Sequence, residues 1–140
     1  MSSSKSISLR TVNSSDLQFL YDLLKQRQSN ENISHKKLPT FTQHTAFVKS
    51  KPYSKWYVIL EDKFRLGSIY LSKQNEVGIF IDKNSRKLGI ANKSLELLIQ
   101  KNPRNRYLAN INPQNRKSIT FFTKNKFKLI QYTYELIPSE

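Results

Sequence analysis

The passage EVGIFIDKNSRKLGIANKSLELLIQ, residues 76–100, constrains the fold more than any other part of the chain. An apolar strand-like run, EVGIFID, gives way to a polar turn that holds Gly89. An amphipathic helical run carrying Leu95, Leu98 and Ile99 comes next. A second strand-like run, RYLANIN, follows at 106–112. Strand, helix and returning strand in one sheet close as a right-handed parallel crossover. If the returning strand diverges from the first, a cleft opens between them.

The remaining runs fit around that unit. SISLRTV alternates, with Ile7 and Leu9 on one side and Ser8 and Arg10 on the other, and reads as a strand. In NSSDLQFLYDLLKQR, Ser14 or Ser15 can cap a helix whose Leu17, Leu20, Tyr21 and Leu24 fall at helical spacing. The polar stretch QSNENISHKKLPTFT reads as a loop. Thr42 then caps a short helix through Phe47 and Val48, which Pro52 ends. KWYVILE and RLGSIYLSK read as a hairpin joined by EDKF, and KQN turns the chain into EVGIFID. After RYLANIN, NRKSITFFTKN reads as a helix and KFKLIQYTYEL as a long closing strand, with Tyr132 and Tyr134 packed on one face. The order is β-α-α-β-β-β-α-β-α-β. That is an α+β fold: a mixed, mostly antiparallel central sheet flanked by about four helices. With 140 residues and no repeat or linker, residues 1–140 read as one domain.

Composition removes several kinds of chemistry. The chain has no cysteine, which excludes disulfides, thiolate metal sites and a cysteine nucleophile. Its two histidines, His35 and His44, stand apart from any carboxylate cluster, so no metal site is expected. No Gly-x-Ser-x-Gly elbow occurs. No apolar run is long enough to span a bilayer, and MSSSKS leads into an alternating segment instead of an export signal. A cytoplasmic location without a membrane partner is the expectation. The formal net charge of +14 attracts polyanions, but the basic residues are spread along the chain within a general bias toward Lys, Asn, Ile and Ser. Charge alone does not make nucleic acid the expected partner.

Gly89 is one of three glycines, and it stands where strand becomes helix. A helix start exposes unpaired N–H groups and the positive end of a dipole, which suits a phosphate. A position without a side chain lets backbone and phosphate approach closely. The alternative reading is a glycine that merely eases a tight connection. Arg86 and Lys87 add positive charge beside it, and Ala91 keeps the first helical turn small.

The pattern Arg86-x-x-Gly89-x-Ala91, set between an apolar strand and an amphipathic helix, resembles the acetyl-coenzyme A signature of the GNAT superfamily of N-acetyltransferases. INPQNRKSITFFTKNKFKL resembles that family's second landmark, an Asn followed by a helix and a Gly-Phe step into a strand. The likeness covers essentially the whole chain. It implies acetyl-CoA as co-substrate, lying in a cleft between splayed strands. The turn Arg86, Lys87, Leu88, Gly89, Ile90 and Ala91 would hold the pyrophosphate. Gly78, Ile79, Phe80 and Ile81 would pair with the pantetheine arm, and the amide of Phe80 or Ile81 would polarise the thioester carbonyl. Asn115, with Ser118 three residues on, matches the Asn that touches that arm, and it also suits a helix cap.

Two positions depart from the family pattern. Phe122 stands where many members have a Tyr that protonates the departing thiolate, and Lys126 stands where Gly usually precedes Phe127. A thiol with a pKa of about 8.5 leaves tolerably well as thiolate near neutral pH without such a donor. Lys126 must either avoid positive φ or carry strain.

Acetyl transfer needs a neutral amine, a held thioester and a base. Glu76 opens the strand expected to hold the coenzyme and resembles the Glu some members use; a surface carboxylate at a strand end is the alternative. His35, in polar NENISHKK, can also accept a proton, whereas His44 has the spacing of a packing residue. The expected reaction is direct attack on acetyl-CoA by the primary amine of a small molecule, an amino sugar or nucleotide-linked amino sugar being favoured. A protein or peptide N-acetyltransferase is one alternative. A basic nucleic-acid-binding module with a non-catalytic coenzyme turn is the other. Monomer and homodimer fit equally.

Overall fold

The computed structural model describes residues 6–27, 37–85 and 89–139. Four strands form one antiparallel sheet in the order β1-β2-β3-β4: β1 Ile7–Thr11, β2 Lys55–Glu61, β3 Phe64–Leu71 and β4 Val77–Ile81. Four helices pack on it: α1 Leu17–Gln26, α2 Phe41–Lys49, α3 Ile90–Lys101 and α4 Arg116–Lys124. Leu9 faces Ile59 across the first pair, and Ile69 faces Ile79 across the last. This is the mixed α+β architecture expected from the order of the runs.

Strand alternation divides the molecule into two layers. Leu9, Tyr57, Ile59, Ile69, Leu71 and Val77 point to one face, where Ile90, Leu95 and Leu98 of α3 and Phe122 of α4 complete the core. Val58 is fully buried outside that cluster, as are Leu20 and Leu23 of α1, so the α1–α2 pair covers the opposite face. Tyr21 and Phe41 meet edge to face there, 5.4 Å between ring centroids.

The helix starts differ from the expected ones in an instructive way. Asn13, not Ser14 or Ser15, caps the 3₁₀ turn Ser14–Asp16 that leads into α1, its side chain accepting from the Ser15 amide at 2.8 Å. Asp16 reaches back to the Asn13 amide at 2.8 Å, closing a capping box. Thr40, not Thr42, caps α2 in a second box with Gln43. Asp16 is fully buried and receives Arg10 through two bonds of 3.0 and 2.9 Å and Arg65 at 2.9 Å. Desolvation alone would raise its pKa. The bonds from Arg10, the Asn13 amide and Arg65 prevail and hold the carboxyl below its ordinary value.

α4 ends in a Schellman motif. Lys126 donates its amide to the Thr123 carbonyl at 3.0 Å, and Phe127 donates to Phe122, also at 3.0 Å. That geometry needs a left-handed residue at Lys126, whose φ is +72°. Phe127 then sets its ring against Phe122, 5.0 Å between centroids, which is the apolar contact the motif favours. Lysine therefore holds the conformation that glycine adopts without strain.

Two expected strands are not part of the sheet. RYLANIN contributes one parallel bridge, Glu76 with Leu108. KFKLIQYTYEL forms no ladder, and beyond Phe127, which packs against the core, its residues are exposed, Tyr132 at 73% and Tyr134 at 89%. An alternating strand pattern is realised only where it finds a pairing edge, and the described residues give this segment no ladder partner.

Candidate active site

β4 meets the 107–112 segment through one isolated bridge, Glu76 with Leu108. Val77 donates to the Leu108 carbonyl at 2.7 Å, and Leu108 donates to Asn75 at 2.8 Å. Glu76 strengthens this junction: its Oε1 accepts from Ser72 Oγ at 3.0 Å and its Oε2 accepts from Asn110 Nδ2 at 2.7 Å.

The register fixes which edge of β4 each backbone group points to. Asp82 donates to Leu66 at 2.7 Å, so Ile81 opposite Gly67 is a non-hydrogen-bonded pair, and so is Ile79 opposite Ile69. Gly78 and Phe80 therefore turn their backbone groups to β3, while Ile79 and Ile81 turn theirs to the opposite edge. Gly78 has a separate role. A Cβ there would run into the ring of Tyr70, which lies across the strand. Tyr70 in turn stacks on Tyr53 at 3.8 Å and 3° between ring planes. Tyr53 contacts Trp56 edge to face at 4.8 Å. An aromatic wall thus stands on the α1–α2 face beside β4.

At the far end of β4 the chain enters α3 through Gly89. Its φ is +90°, a left-handed conformation that only glycine adopts freely, and a Cβ there would meet nothing within 4 Å. No side chain caps this helix; the first helical bond is Lys93 to Gly89 at 2.9 Å. The amides of Ile90, Ala91 and Asn92 thus precede the helical ladder. The left-handed turn requires glycine. Arg86, Lys87 and Leu88 lie outside the described residues, as does His35.

Contacts far apart in sequence fix this corner. Gln26, at the end of α1, donates to Asp82 at 2.6 Å and accepts from the Lys83 amide at 2.9 Å. Asn125 joins α4 to α3 by donating to Asn92 at 2.9 Å. Gln26, Ser72, Asp82 and Asn110 were not singled out from sequence, because each acts on a partner that local spacing does not reveal. Asn115 caps α4, accepting from the Ser118 amide at 3.2 Å. Phe122 is buried among Phe121 and Phe127. His44 is buried too, 5.3 Å from the Tyr21 ring; burial lowers its pKa against the opposing effect of the Leu17 backbone. Two surface hollows, about 440 Å³ beside α3 and Asn125 and about 410 Å³ between Asn13, Val48 and Trp56, include no residue of β4.

One edge of β4 thus leads toward a helix start that carries a glycine and no side-chain cap. The model of the acetyltransferase (GNAT) domain matches residues 6–128. The chain belongs to the GNAT acetyltransferases. It is an enzyme that takes its acetyl group from acetyl-CoA. No curated protein matches the chain. Among solved structures, the Campylobacter jejuni N-acetyltransferase PseH in complex with acetyl coenzyme A aligns with a TM-score of 0.68 and 18% identity, over 91% of this chain and 92% of that one. RimL, a ribosomal L7/L12 alpha-N-protein acetyltransferase in complex with coenzyme A, aligns at 0.72 and 18%, over 91% and 83%. The Vibrio cholerae spermidine N-acetyltransferase in complex with CoA and spermine aligns at 0.70 and 16%, over 84% and 78%. At these identities the likeness is one of fold. No helix among the described residues is long and apolar enough to cross a membrane, and no group of three or more metal-binding side chains occurs among them.

Proposed function

We propose that this GNAT enzyme acetylates the primary amine of a small molecule, an amino sugar or a nucleotide-linked amino sugar, within a ternary complex. The observation that carries the reading is the side-chain-free Gly89 at the uncapped start of α3, in the chain that follows β4. Pyrophosphate at the corner would accept from the amides of Gly89, Ile90 and Ala91. Pantetheine would lie along β4 against the backbone groups of Ile79 and Ile81. Asn115 and Ser118 at the start of α4 would flank it. The aromatic wall of Tyr53, Trp56 and Tyr70 supports a ring-shaped acceptor, since a sugar's flat apolar face suits an aromatic surface. The net charge of +14 supports a phosphorylated one.

In the reaction the amine nitrogen attacks the thioester carbonyl, and the C–S bond breaks as the coenzyme leaves as thiolate. The amine's proton passes through water to Glu76. A backbone amide of β4 would donate to the developing oxyanion. With Phe122 in the core, the thiolate takes its proton from solvent. A thiol-release screen with acetyl-CoA against amino sugars, nucleotide-linked amino sugars, polyamines, amino acids and peptides tests the reading. Fastest turnover is expected with the sugar class; preference for a peptide overturns the acceptor. Tight oligonucleotide binding that weakens steeply with salt, without competition by acetyl-CoA, overturns the enzymatic reading itself.

A further inference from the structure

Arg27 follows α1 directly, and its guanidinium stands over the Phe80 ring of β4, 5.3 Å from the ring centroid. The neighbouring residue sets it there. Gln26 donates to Asp82 at 2.6 Å and accepts from the Lys83 amide at 2.9 Å, which holds the end of α1 against the turn that leaves β4. A guanidinium over a ring still has its N–H groups for an oxygen acceptor.

Phe80 and Gly78 share one face of β4 by strand alternation, and Tyr70 lies across from Gly78. The Tyr70 ring occupies the space that a Cβ at Gly78 would need, and it stacks on Tyr53. Arg27, Phe80, Tyr70 and Tyr53 therefore continue one surface, a cation at one end and the aromatic wall at the other. The charge is felt along it. Burial raises the Tyr53 hydroxyl above its ordinary pKa and Tyr70 adds to the rise, while Arg27 opposes both.

Arg27 lacks the partner that the other sheet-facing arginines have. Arg10 and Arg65 both bond to the buried Asp16, whereas Arg27 makes no ion pair among the described residues. The carboxylate on the neighbouring turn is engaged elsewhere: Asp82 accepts from Gln26 through Oδ1 and from the Asn84 amide, at 3.1 Å, through Oδ2. Arg27 is exposed, so its N–H groups are open to a ligand. A solvated surface cation has no such seat. A seated guanidinium with open donors matches the oxygens of a phosphate.

We infer that Arg27 binds a phosphate of the acceptor, so that the enzyme selects phosphorylated amino sugars over neutral ones. The inference rests on the amino-sugar reading above and narrows it: the wall takes the sugar ring and Arg27 takes the phosphate.

Initial rates on the full chain with acetyl-CoA test this, with glucosamine as the neutral acceptor and its phosphate esters and UDP-glucosamine as the phosphorylated ones. The best phosphorylated acceptor is expected to exceed glucosamine by about tenfold or more in kcat/KM. Arg27→Gln is expected to cut that ratio by about tenfold, through KM and not through kcat. Arg27→Lys keeps the charge without the fork and should restore part of the ratio. Salt should lower the ratio in the unaltered enzyme and have less effect in Arg27→Gln, which keeps the rest of the +14 and so isolates this one charge. Amino sugars turned over at equal rates with and without phosphate, a ratio that Arg27→Gln leaves alone, or a loss confined to kcat overturns the inference and leaves the amino-sugar reading standing. No turnover of any amino sugar, beside rapid acetylation of a peptide or polyamine, overturns that reading and this inference with it.

Discussion

Asn110 donates to Glu76 across the one bridge between β4 and the returning segment, at 2.7 Å. The carboxylate therefore has a structural load as well as its proposed chemical one. Glu76→Gln preserves the shape and removes the base. Turnover is expected to fall about 100-fold, with acetyl-CoA affinity within about twofold, and the pH–rate profile should lose its limb for that base. Asn110→Ala separates the two roles: it loosens the clamp but should leave the profile's shape intact. Identical profiles for Glu76→Gln and the unaltered enzyme would remove Glu76 from the chemistry.

Gly89→Val places a β-branched residue at φ +90°. The side chain has room, so the damage lies in the backbone conformation. The turn is expected to relax away from the left-handed region, costing about 1–2 kcal/mol and misaligning the amides at the head of α3. Titration calorimetry should show acetyl-CoA affinity reduced by about tenfold or more while circular dichroism stays unchanged. Undiminished affinity would move the pyrophosphate elsewhere.

Lys126→Gly should stabilise the protein. The Schellman motif keeps φ at +72° whatever residue occupies the position, and glycine removes the Cβ strain. Its greater freedom in the unfolded chain takes back part of that gain. A net stabilisation of about 0.5–1 kcal/mol is expected, read as a melting temperature higher by a few degrees. A lower melting temperature would show that the lysine side chain contributes more than the backbone loses.

Acid should destabilise the fold in two steps. His44 has a lowered folded pKa, so its contribution is complete above its unfolded value of about 6.5 and is lost as pH falls through the folded one. Asp16 is likewise depressed. Its contribution is complete above about 3.9 and disappears at more acidic pH. Urea midpoints against pH should show both windows. His44→Phe should erase the upper window. Asp16→Asn should erase the lower one and cost about 2–3 kcal/mol at neutral pH, since Arg10 and Arg65 lose their shared partner.

What could be read from the sequence is what local physics decides. The β-branched and aromatic run KWYVILE marks β2 to the residue, and Gly89 marks the strand-to-helix corner, because each is set by its own neighbours. Capping at Asn13 was harder to see, since Asn13, Ser14 and Ser15 all have suitable side chains and only tertiary placement chooses. The cradle of Gln26 about the Asp82–Lys83 turn spans more than fifty positions of chain and left no local trace. In segment 128–137 the alternating pattern was legible, yet its residues are exposed and form no ladder among the described residues, because pairing depends on a partner edge and not on the segment's own spacing.

A junction held at a single bridge concentrates its strength in one residue. Glu76 ties the returning segment twice, by backbone pairing with Leu108 and by its carboxylate to Asn110, so a change at that one position is felt on both sides of the junction.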